Sequence, residues 1–280
     1  MILIDMNQIA LASLMMNLNM NKSDTADEKM VRHMILNSIR LYRTKYFQEY
    51  GEVILTWDSK HSWRRDYFPQ YKASRRKGRQ KSDLNWDSIF EFLNRIKSEF
   101  KENLPYKFIE VYGTEADDII AVLCKNFQDK SIMIISGDKD FIQLQKYPKV
   151  KQYSPITKKY VNGFNPHIYL KEHIFKGDTS DGVPNVLSPD HTFTDGLRQK
   201  PLGRKKIQTW LNIDIDDLQD EVKRNYQRND KLINLDNVPE DLEKEIMMDF
   251  CEAQCGDRSK LLNYFIKNKL RELTESIGEF

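Results

Sequence analysis

Residues 131–141 read SIMIISGDKDF. The run IMII is apolar at every position and stops at a small Ser-Gly turn. A run of this kind between turn residues reads as a strand buried on both faces. Asp138 and Asp140 follow at once, one residue apart. Two carboxylates at the exit of a core strand are either a polar turn or part of a metal site. The second reading requires partner acids from elsewhere in the chain.

The pattern recurs upstream. MILID (1–5), VILTW (53–57) and FIEVY (108–112) are three more apolar runs of strand length. Between them lie helical stretches at 27–48, 84–103 and 115–127; the first carries Val31, Met34, Ile35, Ile39, Leu41 and Tyr42 at helical spacing. Strands separated by helices predict a parallel sheet built from crossover units, with helices on both faces. Beyond residue 178 no further strand is expected, and helices are read at 203–212, 214–227, 239–253 and 257–275. Residues 178–203 are rich in Gly, Pro, Ser and Asp and read as a loop. The expected fold class is α/β: a central, mostly parallel sheet over residues 1–182, then a smaller all-helical domain over 183–280.

Open sheets of this kind place their sites outside the carboxyl ends of the strands. Asp5 ends the first strand and Asp58 follows the second. The third leads to Glu115, Asp117 and Asp118, and the fourth to Asp138 and Asp140. Asp178 and Asp181 sit in the later turn KGDTSDG. Taken singly, each is explained by a cap or a turn: Thr114 to Asp118 reads as a helix start, where early acids suit the dipole. Taken together, so many converging carboxylates disfavour one another's ionisation unless cations intervene. Hard divalent ions with oxygen ligands, of the Mg²⁺ type, are the natural solution. The five histidines, His33, His61, His167, His173 and His191, show no ligand spacing and read as surface or packing residues.

The 280 residues suffice for a sizeable core, with 40% hydrophobic and 31% charged residues. The net charge of +2 conceals segregation. Residues 60–81, KHSWRRDYFPQYKASRRKGRQK, hold nine basic side chains against Asp66 alone, with Trp63, Tyr67, Phe68 and Tyr71 interleaved. Cations neutralise phosphates and aromatic faces stack on bases, so the segment predicts nucleic-acid contact beside the acids. A solvated connector is the plainer alternative. Three cysteines without a CxxC pair signal neither a disulfide framework nor zinc, and predict a reducing, cytoplasmic setting. No run of about 18 apolar residues predicts a membrane span. The apolar start carries Asp5 and no basic region, so it reads as a strand and helix rather than a signal peptide.

Several of these motifs, in this order, resemble the 5′-nuclease (flap endonuclease-like) family. They are LIDMNQIALAS, MVRHMILNSIR, SWRRDYFPQYKASRRKGR, the EADD of 115–118, IISGDKDFIQLQKYPKVKQYSP, KGDTSDGVPNV and LTESIGEF, and they cover most of the chain. The resemblance implies a flexible basic arch at about 59–84. It also implies a helix–turn–helix duplex-binding element spanning GDTSDGVPNV and PLGRKKIQTW. Two Mg²⁺ ions are implied, with Mn²⁺ able to substitute. One would contact Asp5, Asp58, Asp117 and Asp138; the second would sit near Asp140, Asp178 and Asp181, partly through waters, with Glu115 and Asp118 completing the inner or bridging shell. Lys72 would act at the scissile phosphate beside the catalytic Asp138. Arg64, Arg65, Arg75, Arg76 and Arg79 would bind the 5′ strand, Tyr71 would stack on a base, and Arg204, Lys205 and Lys206 would grip duplex phosphate. Residues 187–201 are an insertion relative to many members, and the chain starts without the N-terminal extension that some relatives use for a replication partner.

The implied activity is 5′→3′ hydrolysis of RNA–DNA hybrids, 5′ flaps and forked DNA by a monomer, in lagging-strand primer removal. The resemblance also implies a single-stranded DNA-binding protein as a partner. Two other readings stand beside it. LIDMN is similar to phosphatases with an aspartate nucleophile, but Asn7 occupies the place of their second acid. A non-catalytic nucleic-acid-binding protein would use the basic segment alone.

Overall fold

The computed structural model describes residues 1–23 and 25–280. In chain order it contains β1 (Ile2–Asp5), α1 (Met6–Asn21), α2 (Glu28–Tyr50), β2 (Val53–Thr56), α3 (Trp63–Tyr67), α4 (Ala73–Gln80), α5 (Trp86–Asn103), β3 (Lys107–Ile109), α6 (Ala116–Asn126) and β4 (Ile132–Ile135). A 3₁₀ helix over Lys139–Lys146 precedes β5 (Val150–Ser154) and β6 (Lys159–Tyr160). The rest is helical: α7 (Pro166–Lys176), α8 (Arg204–Trp210), α9 (Asp220–Ile233), α10 (Glu240–Glu252), α11 (Arg258–Lys267) and α12 (Arg271–Glu275).

The sheet has six strands in the order β3-β2-β1-β4-β5-β6, and every pairing is parallel except β5 with β6. β1, β2 and β4 are buried at every residue, which is why they read as unbroken apolar runs. Ile2 and Ile4 pack on one face with α1, α2 and α5, while Leu3 packs on the other with α6 and α10. Burying each such side chain contributes roughly 1.5–3 kcal/mol. Successive strands, β1 and β2, lie side by side, but β4 returns to the far side of β1, so the order reverses there. A crevice at such a switch point is where an open α/β sheet places its ligand.

β5 and β6 were not expected. β5, VKQYS, mixes polar and apolar residues, and β6 is a two-residue edge. Two helices also differ from expectation. The helix read at 214–227 is α9, shifted to Asp220–Ile233 after a short 3₁₀ turn at Ile215–Asp217. The helix read at 257–275 is α11 and α12, broken at Lys269, whose φ is 55°.

The basic segment folds into α3 and α4. Trp63, Phe68 and Tyr71 are buried, and no residue of α4 is buried. The aromatics therefore anchor the segment to the body; of the four, Tyr67 alone is exposed, at 49%. A third core joins Phe68 and Tyr71 to α7, α8 and α9. Between α7 and α8 lies a long loop, residues 177–203. Gly177 starts it with φ of 67°, where a Cβ would collide with the Val183 carbonyl. Among the described residues no helix is long and apolar enough to cross a membrane.

Candidate active site

Asp5 leaves β1 as the N-cap of α1, accepting from Gln8 N at 3.1 Å and from Ser136 Oγ at 3.0 Å. Asp58 follows β2 and accepts from Ala116 N at 2.8 Å, which ties it to the start of α6. Asp117 stands in the first turn of that helix. Asp138 caps the 3₁₀ helix after β4, accepting from Asp140 N at 3.0 Å. Gln8 accepts from Gly137 N at 2.6 Å, and Gln152, on the unexpected strand β5, donates to Ser136 O at 3.0 Å. The turn carrying Asp138 is thus held from the start of α1 and from β5 together.

One cleft of about 650 Å³ is lined by Asp5, Asp58, Asp117, Asp138, Asp140, Asp178 and Asp181. A second cavity of about 990 Å³ opens beside it, lined by Arg65, Lys72, Arg75, Arg76 and Arg79 with Trp86 and Phe90. Acid and base therefore stand on adjoining walls.

The acids fall into two groups by their counter-ions. Glu115 receives Lys72 Nζ at 2.6 Å and Tyr71 Oη at 2.8 Å. Burial opposes its charge, yet Lys72 and Arg64 hold its carboxyl well below the usual range. Lys72 in turn is disfavoured by burial, but Asp181 and Glu115 outweigh that and keep it charged. Lys72 adopts φ of 56°, and its amide donates to Asp181 O at 2.7 Å. A left-handed non-glycine residue costs about 1–2 kcal/mol, so its surroundings enforce this pose.

Among the described residues no ion pair reaches Asp5, Asp58, Asp117 or Asp138. Burial and then Asp58 push Asp5 up to about 7. Burial, then Asp138 and Asp5, push Asp117 well up. Burial pushes Asp140 up to about 7, against the pull of His173 and with the repulsion of Asp138. Asp5, Asp58, Asp117 and Asp138 are short of positive charge, and all their donors are oxygen. The residues present therefore fit hard divalent cations.

Three expectations are corrected. Arg64 does not face a strand of nucleic acid. It is 2% exposed, its Nη2 is 2.8 Å from Asp118 Oδ1, and its Nε donates to Leu232 O at 2.8 Å. Asp118 does not join a cation shell, because it is fully buried against Arg64 and caps α6 through Glu115 N at 3.0 Å. Tyr71 has no free face for a base. It is 4% exposed, and its hydroxyl donates within a bridge between Glu115 and Asp181, at 2.8 Å from each.

Arg75 pairs with Asp181, and Arg65, Arg76 and Arg79 are exposed around the basic cavity. Arg204, Lys205 and Lys206 are exposed on α8, away from the acidic cleft. Of the two stretches implied to form a helix–turn–helix, GDTSDGVPNV lies in the long loop after α7 and PLGRKKIQTW carries α8. His173, read from sequence as a packing residue, stands between Asp140 and Asp178 at 3.3 and 3.5 Å. Its spacing in the chain gave no signal of this; only the fold brings α7 over the 3₁₀ helix.

An acidic sheet edge beside a basic cavity suits metal-dependent hydrolysis of a polyanion, and the relatives of the chain place it in the class of metal-dependent nucleases. The chain belongs to the 5′-3′ exonuclease family, matching its N-terminal resolvase-like domain over residues 1–173 and the T4 RNase H C-terminal domain over 165–280. It is 36% identical to the ribonuclease H of Enterobacteria phage T4, over 99% of this chain and 95% of that one. It is 27% identical to a 5′-3′ exonuclease of Buchnera aphidicola over 54% of this chain and 53% of that one. In fold it is similar to the T5 D15 protein co-crystallised with metal ions, with TM-score 0.65 and 17% identity over 90% of this chain and 98% of that one. These relationships set aside the phosphatase and non-catalytic readings.

Proposed function

We propose that this chain is a Mg²⁺-dependent 5′→3′ nuclease acting on RNA–DNA hybrids, 5′ flaps and forked DNA, with removal of primers from lagging-strand fragments as its role. Mn²⁺ would substitute for Mg²⁺. The carrying observation is the set of carboxylates without protein counter-ions at the switch point, adjoining a cavity walled by arginines.

Asp5, Asp58, Asp117 and Asp138 would hold one cation, and Asp140, Asp178 and Asp181 a second. When bound, two such ions supply an activated water and stabilise the leaving 3′ oxygen. The protein's own part is placement. Ser136, Gln8 and Gln152 fix the turn that carries Asp138. Glu115, already neutralised by Lys72 and Arg64, anchors rather than ligates. Lys72 lies at the seam of the two cavities, where it can meet the scissile phosphate as it leaves Glu115. Arg75, Arg76 and Arg79 would draw the 5′ strand along the basic wall, and Arg204, Lys205 and Lys206 would take duplex phosphate from the helical region, residues 183–280.

The test uses a 5′-flapped duplex and an RNA–DNA hybrid, each with Mg²⁺ or with EDTA. Short products released from the 5′ end in Mg²⁺ alone are expected. Asp138→Asn should lose cleavage by at least about a hundredfold while duplex binding survives. Wild-type turnover by that variant would remove Asp138 from the site. Lys72→Ala should slow cleavage more than it weakens binding; the reverse would reduce Lys72 to general affinity.

A further inference from the structure

We propose that His173 is a nitrogen ligand of the second cation, so that the two cation positions differ in chemistry: one all-oxygen, the other mixed. The proposal rests on the two-cation reading above and adds a ligand to it.

Asp140, His173 and Asp178 each offer one donor atom, and these atoms lie within 4.8 Å of one another. Nδ1 of His173 is 3.3 Å from Asp140 Oδ1, and Nε2 is 3.5 Å from Asp178 Oδ2. Ligands about 2.1 Å from a shared ion sit roughly 3 Å apart at right angles and somewhat more in a tetrahedron. The Nδ1–Asp140 separation falls in that range. It is also long for a charged hydrogen bond. Nδ1 is shielded from solvent and makes no hydrogen bond to any described residue. A shielded ring nitrogen that faces a carboxylate and makes no hydrogen bond of its own is placed to share an ion with that carboxylate.

The ring is also oriented for the task. Histidines that bind metals through one nitrogen usually donate the other N–H to a carboxylate, which fixes ring and tautomer. Here Nε2 faces Asp178, whose other contacts are local: its Oδ1 accepts from Ser180 N at 2.7 Å and from Asp181 N at 3.2 Å. Tyr169 packs against the imidazole at 6.0 Å between ring centroids, nearly edge to face, from the preceding turn of α7. Nδ1 would therefore bind the ion with Asp140, and Nε2–H would hold Asp178 in place beside it.

The four acids of the first position are all oxygen donors and suit Mg²⁺. An imidazole shifts a site away from Mg²⁺ and towards transition metals such as Ni²⁺ and Zn²⁺. The second position should accordingly discriminate among ions where the first does not.

The test is Mn²⁺ binding to the metal-free, full-length protein, read by calorimetry and by pulsed electron paramagnetic resonance of the bound ion. In the wild type, imidazole-nitrogen coupling to one of the bound ions is expected, confirmed by labelling histidine with the heavier nitrogen isotope. In His173→Gln the coupling should vanish, and one of the Mn²⁺ sites should lose about tenfold in affinity, while Mg²⁺ affinity changes much less. Mn²⁺ bound to the wild type without nitrogen coupling would overturn the role of His173 and leave the carboxylate sites standing. Coupling that persists in His173→Gln would likewise overturn it. Failure of the wild type to bind Mn²⁺ at all would overturn the two-cation reading itself. The wild-type spectrum decides the matter even if the variant does not fold.

Discussion

Asp5→Asn should stabilise the protein in the absence of metal while destroying its activity. Asp5 is 6% exposed, and burial with repulsion from Asp58 raises its carboxyl from 3.8 to about 7. The folded state therefore binds that proton more tightly than the unfolded state. Below pH about 4 both states are protonated and there is no cost. Between pH about 4 and 7 the folded state holds more protons, so its stability falls as pH rises, and above about 7 the cost is complete. About three pH units at 1.36 kcal/mol each gives about 4 kcal/mol, a ceiling because neighbouring carboxylates share the relief. Asparagine keeps the α1 cap, accepting from Gln8 N as aspartate does, and its amide can donate to Ser136 Oγ. At roughly 2 °C per kcal/mol for a chain of this size, the melting temperature in EDTA at pH 8 should rise by up to about 8 °C. At pH 5 the gain should be clearly smaller. With saturating Mg²⁺ the gap should narrow, since an ion at a hundred times its dissociation constant adds about 2.7 kcal/mol to the wild type alone. Thermal melts across this grid are the assay. Equal destabilisation of Asp5→Asn in EDTA at both pH values would refute the reasoning and leave Asp5 as a structural cap.

Arg64→Met should cost about 3–5 kcal/mol, because it strands Asp118 as a buried charge, and adding Asp118→Leu should recover most of that. Unchanged melting with weakened, less salt-sensitive DNA binding would restore Arg64 to the nucleic-acid surface. Tyr71→Phe keeps a stacking ring but removes the hydroxyl bridge between Glu115 and Asp181. Mg²⁺ affinity by calorimetry should fall about tenfold, whereas a base-stacking role predicts no change.

The strands that matter most were the easiest to read. β1, β2 and β4 are buried on both faces, so their sequences are apolar without interruption and end at their acids. β5 was illegible because its Gln152 is a buried polar residue whose partners, the carbonyls of the Asp138 turn, lie far back in the chain. The same limit hid Arg64. In a run of basic residues nothing local marks the one that turns inward, since its partners Asp118 and Leu232 are distant in sequence. Pattern identified the acids as a group, but not which of them already had a cation. Glu115, Asp118 and Asp181 do, and only the packing of the basic segment reveals it.

The base of that segment is stitched to the loop after α7. The amide of Lys72 meets Asp181 O, Arg75 donates to Ser180 O at 3.2 Å, and Lys77 reaches Thr194 O at 2.6 Å within the same long loop. The wall proposed to grip the strand and the acid Asp181 are thus tied to the same loop. On the proposed two-cation reading, linkage would run equally in both directions: a correctly seated substrate would tighten the metal, and the metal would tighten the substrate, so a wrongly seated strand would meet a blunt blade.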